Sequence, residues 1–249
     1  MDTEFLERYS RNIILREIGG IGQKRLSSSK VLIVGAGGLG IPAMMYLTAS
    51  GVGKVGLVDH DIVGISNLQR QVLFGESDIG KLKVEVAKMR LNSLNPNINV
   101  VIYPEKLSIH NVEFFFSDYD LVLDGTDNYE TRYLINSYCF KLKKPLLFGA
   151  ISQWDGQVGL YDPHQRCACF ECLFPEKANI QIEDNCSSNG VLGPLVGVIG
   201  SLMATEAIKF FTRAGKNLTN ELILYDALSG HMRRYKTQVR KNCQVCGDR

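Results

Sequence analysis

The chain has almost no excess charge of either sign. Its 28 lysines and arginines are balanced by 26 aspartates and glutamates, which gives a formal net charge of +2 over 249 residues. Nothing in this balance predicts binding to nucleic acid or to an anionic membrane surface. Hydrophobic residues make up 45% and charged residues 22% of the chain, as in ordinary globular enzymes. The composition therefore predicts a globular protein with one sizeable core.

The sequence also has no uninterrupted apolar run long enough to span a bilayer. The closest candidate, from Pro194 to Phe211, contains Glu206 and Lys209. The first four residues include two acids, where a secretion signal has a basic start and an apolar middle. We therefore expect a cytoplasmic protein, in which the seven cysteines are reduced and available as metal ligands or nucleophiles rather than paired in disulfides.

Strand and helix signals alternate through the first 150 residues. Strands are predicted from Lys30, over Lys54–Asp59, over Ile98–Tyr103, over Asp120–Asp124 and over Pro145–Ala150, and helices over Pro42–Ser50, Ser77–Leu94 and Asn128–Lys143. This order is typical of a Rossmann-like, doubly wound α/β fold with a parallel sheet.

The pattern changes after residue 150. Antiparallel strands are predicted within Gln153–Tyr161 and within Glu221–Thr237, with an apolar helix over Pro194–Phe211 between them. We expect one domain over residues 1–249, in which residues 1–150 form a nucleotide-binding half and residues 151–249 form a second half. The polar stretch Glu176–Gly190 is predicted to be a crossover loop.

A glycine-rich turn follows the first predicted strand. Gly35, Gly37, Gly38 and Gly40 fit the pattern G-x-G-x-x-G between a strand and a helix, where backbone N–H groups can approach a phosphate. Asp59 ends the next strand, at the position where an acid can bind ribose hydroxyls. The pattern predicts a nucleotide site and is compatible with NAD, FAD and ATP, although a tight structural turn would also need glycine.

The polar residues that follow favour phosphate chemistry over hydride transfer. Asn67, Arg70 and Lys83 come shortly after the ribose acid, and such groups can neutralise charge on phosphoryl oxygens. Asp127 follows another strand, where a carboxylate can bind Mg²⁺. The alternatives are a solvated polar helix for Lys83 and a helix cap for Asp127.

Four cysteines form two C-x-x-C pairs, Cys169 with Cys172 and Cys243 with Cys246. Two such pairs predict a closed tetrahedral zinc site, which would tie the end of the chain to its middle. A redox role for one pair is the alternative. Because no ligand position would stay open, the metal would be structural.

Several motifs together resemble the ThiF/MoeB/HesA family, the bacterial relatives of ubiquitin-activating enzymes. The resemblance runs from about Glu7 to Gly247 and rests on the segments Arg8–Leu15, Gly35–Gly40, Ser66–Gln71, Gly80–Glu85 and Gly125–Asn128. It implies ATP-dependent adenylation of the C-terminal Gly-Gly carboxylate of a ubiquitin-like sulfur carrier of ThiS or MoaD type, with release of pyrophosphate, in thiamin or molybdenum cofactor biosynthesis.

The resemblance also implies a role for each site residue. Asp59 would bind the ribose, Asn67, Arg70 and Lys83 the phosphates, and Asp127 the Mg²⁺, while Arg11 would act in trans from the second subunit of a homodimer. The second half of the chain would bind the carrier and hold the zinc.

Two further expectations concern the sulfur chemistry. Cys186, in the predicted crossover loop, is either a thiol that takes up the activated carrier, as in ThiF-like members, or an idle surface thiol. The chain ends soon after the second cysteine pair without a rhodanese domain, so sulfur would come from a separate donor protein. The competing functions are an NAD(P)- or FAD-dependent oxidoreductase with a structural zinc and a scaffold that has lost catalysis.

Overall fold

A computed structural model of the chain describes residues 2–175 and 190–247. Cys186 lies outside the described residues. The helices are α1 (Thr3–Ile13), α2 (Gly19–Ser28), α3 (Gly40–Ala49), α4 (Lys83–Leu94), α5 (Val112–Ser117), α6 (Tyr129–Lys141), α7 (Phe170–Leu173) and α8 (Gly193–Thr212). The strands are β1 (Lys30–Val34), β2 (Lys54–Val58), β3 (Asn99–Tyr103), β4 (Leu121–Asp124), β5 (Leu146–Ser152), β6 (Asp155–Tyr161), β7 (Glu221–Asp226) and β8 (His231–Lys236).

All eight strands form one sheet in the order β3-β2-β1-β4-β5-β6-β7-β8. The strands from β3 to β5 pair in parallel, whereas β5 to β8 pair antiparallel. This confirms the predicted fold, parallel in the N-terminal half and antiparallel in the C-terminal half. The strand order reverses direction between β1 and β4, and a doubly wound sheet binds its ligand in the crevice at such a point.

Both faces of the central strands of the sheet are buried, whereas every residue of the edge strand β8 is exposed. Val31 and Ile33 of β1 pack in a core with α3, α4 and α8, while Leu32 and Val34 face a second core with α5, α6 and the cysteine pairs. This alternation follows from the two-residue period of a strand and explains the nearly continuous apolar sequence of β1.

Helix α8 is the longest helix of the described residues. Its 20 residues are apolar and long enough to cross a membrane by length and composition alone, but more than half of this apolar stretch is buried inside the protein. A Cβ on Gly200 would lie 2.6 Å from the Leu39 carbonyl oxygen, so the small residue allows α8 to approach α3. We therefore interpret α8 as a core helix.

The helix predicted over Ser77–Leu94 is shorter than expected. Glu76–Asp78 forms a separate 3-10 turn, and α4 begins only at Lys83. The interruption is at Gly80, whose φ of 85° lies in the left-handed region that helix residues do not adopt. Lys83 is therefore the first residue of a helix rather than an interior one.

Candidate active site

A cavity of about 360 Å³ opens beside the carboxyl ends of β1, β2 and β4, where the strand order reverses. We call it the glycine-loop cavity. It is lined by the turn after β1, by Asp59 and Asp61 after β2, and by the segment Gly125–Asn128 after β4. The fold thus brings to one edge of the sheet the segments that the sequence predicts to bind a nucleotide.

The glycine turn fits its surroundings only without side chains at two positions. Gly35 has a φ of 96°, and a Cβ there would lie 2.9 Å from the Gly125 carbonyl oxygen. A Cβ on Gly40 would come within 1.9 Å of the Gly35 carbonyl oxygen, which is sterically impossible without a shift of the turn. Gly35 and Gly40 therefore shape the turn. Gly35, Gly37 and Gly38 line the cavity, whereas Gly40 is absent from the described lining.

Asp59 fastens the turn to the end of β2. Its Oδ2 accepts a hydrogen bond of 2.7 Å from the Ala36 backbone N–H, and its Oδ1 accepts one of 2.8 Å from Asp61 N–H. Burial raises the pKa of the Asp59 carboxyl, although the hydrogen bonds from Asp61 and Ala36 and the charge of Lys83 oppose the shift. The carboxylate lines the cavity at the place predicted for a ribose-binding acid.

Lys83 and Arg70 bring positive charge to the same cavity. The Lys83 ammonium donates to Asp61 Oδ2 at 2.8 Å, and its side chain is only 7% exposed. Arg70 is held by a 3.1 Å hydrogen bond from Nη1 to the Ser66 carbonyl oxygen. The buried, anchored Lys83 differs from the solvated polar helix that was the alternative interpretation.

Asp127 is exposed and lines the cavity, and it does not cap α6. The cap is Asn128, whose Oδ1 accepts from Thr131 N–H at 2.9 Å. Asp124, one turn earlier, is buried and accepts from Thr126 N–H at 2.9 Å. Asp127 therefore lines the cavity without serving as the cap of the following helix.

Two predicted residues lie elsewhere. Asn67 Oδ1 accepts from Gly64 N–H at 3.1 Å and caps a short 3-10 turn, and Asn67 is absent from the described cavity lining. Arg11 lies exposed in the last turn of α1 and is also absent from that lining. Both assignments remain predictions.

The structure adds two buried polar residues that the sequence did not single out. Gln71 is 4% exposed, lines the cavity, and has no hydrogen-bond partner for Oε1 among the described residues. Arg132 is 6% exposed and donates through Nη2 to the Thr126 carbonyl oxygen. Gln71 ends the family-like segment Ser66–Gln71, which is its signal in the sequence. Arg132 has no such signal, because its position depends on α6.

The four predicted cysteine ligands come together as one buried group, the cysteine cluster (Cys169, Cys172, Cys243, Cys246). The sulfur atoms of Cys169 and Cys243 are 3.6 Å apart, those of Cys172 and Cys246 3.3 Å, and those of Cys169 and Cys172 3.9 Å. A tetrahedron with metal–sulfur bonds of about 2.3 Å has sulfur atoms about 3.8 Å apart. The cluster therefore fits a tetrahedral metal ion.

Protein N–H groups surround these sulfur atoms. Arg240 N–H lies 3.4 Å from the Cys172 sulfur, and Asn136 Nδ2 lies 3.8 Å from the Cys169 sulfur. Burial raises the pKa of the Cys246 thiol, whereas a hydrogen bond from Cys169 lowers the pKa of Cys172. Thiolates are the form that binds a metal, and four protein ligands would leave no position for a substrate.

The family model described as "ThiF family" matches residues 9–246, nearly the whole chain. The chain belongs to the ThiF family. It is 45% identical over 249 residues to a sulfur carrier protein adenylyltransferase of Thermus thermophilus, covering 98% of this chain and 92% of that protein. It is 41% identical over 248 residues to the SAMP-activating enzyme E1 of Haloferax volcanii, covering 100% and 91% respectively.

Solved structures agree with this membership. The structure of E. coli MccB with ATP has a TM-score of 0.84 and 28% sequence identity, and the similarity covers 99% of this chain and 76% of that one. This ThiF-family chain therefore shares its fold with a protein that was crystallised with ATP.

The glycine turn of this ThiF-family chain gives a first prediction. Gly35→Ala should lower stability by about 1–3 kcal/mol, because alanine is strained at its φ, and should also weaken ATP binding. Gly37→Ala should weaken ATP binding about tenfold or more with little loss of stability, because its Cβ meets nothing closer than Gln71 Nε2 at 3.5 Å. Thermal unfolding and calorimetric ATP titration of both variants check this. Equal stability losses would show that the turn is not shaped as described.

Proposed function

We propose that this chain adenylates the C-terminal Gly-Gly carboxylate of a ubiquitin-like sulfur carrier with ATP. The observation that carries the proposal is the group of charged side chains at the glycine-loop cavity. Arg70, Lys83 and Asp127 line that cavity beside the glycine turn in a chain of the ThiF family. A hydride-transfer site has little use for these groups, whereas nucleotidyl transfer needs them.

In the proposed reaction, a carboxylate oxygen of the carrier attacks the α-phosphorus of ATP. The bond from this phosphorus to the bridging oxygen breaks, and pyrophosphate leaves with the electron pair. Lys83 and Arg70 would neutralise the charge that develops on the phosphate oxygens, and Asp59 would hold the ribose. Asp127 would hold Mg²⁺, which when bound neutralises phosphate charge. No protein nucleophile is needed for this step.

A second cavity, of about 540 Å³, continues from the first along the antiparallel strands β5 to β8. We call it the sheet cavity. Its lining includes Gly156, Gln157, Leu224, Tyr225, Arg233 and Tyr235. We propose that it takes the extended C-terminal tail of the carrier, because the two cavities share the lining residues Asp127, Arg132 and Ile151. Residues 151–249 would then form the carrier-binding half.

We further propose that the cysteine cluster holds one structural Zn²⁺, on the grounds of its sulfur separations and buried position. Reduced, metal-binding thiols support a cytoplasmic location. The sulfur itself would come from a separate donor protein.

Carrier-dependent exchange of radiolabelled pyrophosphate into ATP tests the function. We expect exchange only when ATP, Mg²⁺ and a carrier ending in Gly-Gly are all present. Parallel assays with a ThiS-type and a MoaD-type carrier would assign the pathway to thiamin or to the molybdenum cofactor. Absence of exchange with both carriers, together with tight binding of NAD or FAD, would overturn the proposal in favour of an oxidoreductase.

The proposed homodimer with Arg11 acting in trans gives a prediction about mixed subunits. Arg11→Ala and Lys83→Ala should each be almost inactive alone. After the two variants are mixed and allowed to exchange subunits, half of the dimers are mixed, and each mixed dimer has one intact site. Exchange activity should therefore return to about one quarter of the wild-type value. If the mixture is no more active than each variant alone, Arg11 does not act in the active site of the partner subunit.

A further inference from the structure

Arg132 stands at the junction of the two cavities. Three residues, Asp127, Arg132 and Ile151, line both the glycine-loop cavity and the sheet cavity, and Arg132 is the cation among them. Arg132 is only 6% exposed, and it lines both cavities. An arginine at this place lies where the end of a peptide in one cavity would meet a nucleotide in the other.

The guanidinium has donors to spare. A guanidinium carries five N–H donors, and within residues 2–175 and 190–247 the hydrogen bond found for it runs from Nη2 to the Thr126 carbonyl oxygen. Asp124 is near enough to interact electrostatically, but it forms no ion pair with Arg132 among the described contacts. A buried cation with unused donors favours an anionic partner, and a carboxylate matches its planar geometry.

Arg132 contacts a residue that neighbours the cysteine cluster. Its guanidinium carbon lies 6.0 Å from the centroid of the Phe170 ring, and Phe170 stands between Cys169 and Cys172 in the sequence. One turn along α6 from Arg132, Asn136 accepts from Phe170 N–H at 3.0 Å and approaches the Cys169 sulfur through Nδ2. The cluster and Arg132 are thus joined through one face of α6.

We propose that Arg132 binds the C-terminal carboxylate of the carrier and positions it for attack on the α-phosphate, and that the cysteine cluster sets the place of Arg132. This inference rests on the proposed function and assigns a recognition residue to it. Each oxygen of a carboxylate paired with Arg132 would keep a further lone pair, so one of them can still attack the α-phosphorus. Arg70 and Lys83 would remain with the phosphates, so that the two anions are held by different cations.

The test compares two forms of one carrier, ending in a Gly-Gly carboxylate or in the corresponding carboxamide. Calorimetry in the presence of α,β-methylene ATP measures the affinity of each form. Wild-type protein should bind the carboxylate form about 10- to 100-fold more tightly, as expected for a hydrogen-bonded charge pair. Arg132→Gln should reduce this ratio to about threefold or less, and Arg132→Lys should retain part of it. A residue with only a structural role would not change the ratio.

Arg25→Gln is the matched control, because Arg25 also donates to a backbone carbonyl, that of Thr212 at 2.9 Å, but lines neither cavity. It should keep the wild-type ratio. Affinity for ATP alone should stay within about threefold in Arg132→Lys, which shows that this variant is folded. If the wild-type protein catalyses exchange and both Arg132→Gln and Arg132→Lys keep the wild-type preference for the carboxylate form, the inference is wrong and the proposed function stands. If the wild-type protein catalyses no exchange, the proposed function itself is wrong.

Discussion

Lys83→Ala should lower carrier-dependent pyrophosphate exchange by about 10²–10³-fold, the usual effect of removing one preorganised charge that stabilises a transition state. Lys83 is 6% exposed and its ammonium is held 2.8 Å from Asp61 Oδ2, so its position is set before substrate binds. Because the charge on the phosphoryl oxygens grows as pyrophosphate leaves, the loss should appear mainly in the maximal exchange rate.

Lys81 provides the control for this experiment. It lies two residues before Lys83, its side chain is 54% exposed, and it pairs with Asp78 at 3.2 Å rather than with a cavity residue. Lys81→Ala should keep exchange within about twofold of wild type, since Lys81 lies outside the cavity lining and the buried Asp78 keeps its hydrogen bonds from Gly75 N–H and Arg90. If both variants lost the same activity, a general disturbance around α4 would explain the result and the assignment of Lys83 would be wrong.

The sequence predicted the centre of the sheet well because the central strands are buried on both faces. Val31 to Val34 read as a continuous apolar run, and the turn that follows needs glycine at Gly35 and Gly40 for steric reasons that are local. The same local logic failed for the helix over Ser77–Leu94. There, Gly80 interrupts a pattern that is otherwise helical, and its positive φ becomes visible only in the fold.

The site was predictable where residues follow the strand ends directly. Asp59 and Asp127 line the cavity as the topology requires, and the two cysteine pairs meet although 74 residues separate Cys169 from Cys243. Arg132 could not be predicted, because a helix residue reaches the cavity only through the packing of α6. Asn67 caps a turn through its side chain, and its contact with a phosphate stays a prediction.

Loss of one cysteine ligand should be the most destabilising substitution in the second half of the chain. Cys243→Ser should remove the bound zinc and lower the free energy of unfolding by about 4 kcal/mol, which is the stabilisation given by a ligand that binds only the folded state at about 1,000 times its Kd. For a chain of this size such a loss corresponds to a decrease in Tm of about 8–16 °C. Metal analysis and thermal unfolding with and without a chelator measure both effects.

Cys167→Ser separates metal binding from a general effect of losing a buried thiol. Cys167 is buried beside the cluster but exchanges hydrogen bonds of 3.2 Å with the backbone of Asp162, which a hydroxyl can also make. This variant should keep about one zinc per chain. Equal metal content in both variants would contradict the zinc site.

Because Phe170 links the cluster to Arg132, zinc-free Cys243→Ser should also lose part of its preference for a carboxylate-ended carrier even below its Tm. A metal far from the chemistry would thereby control substrate recognition through the packing of one ring.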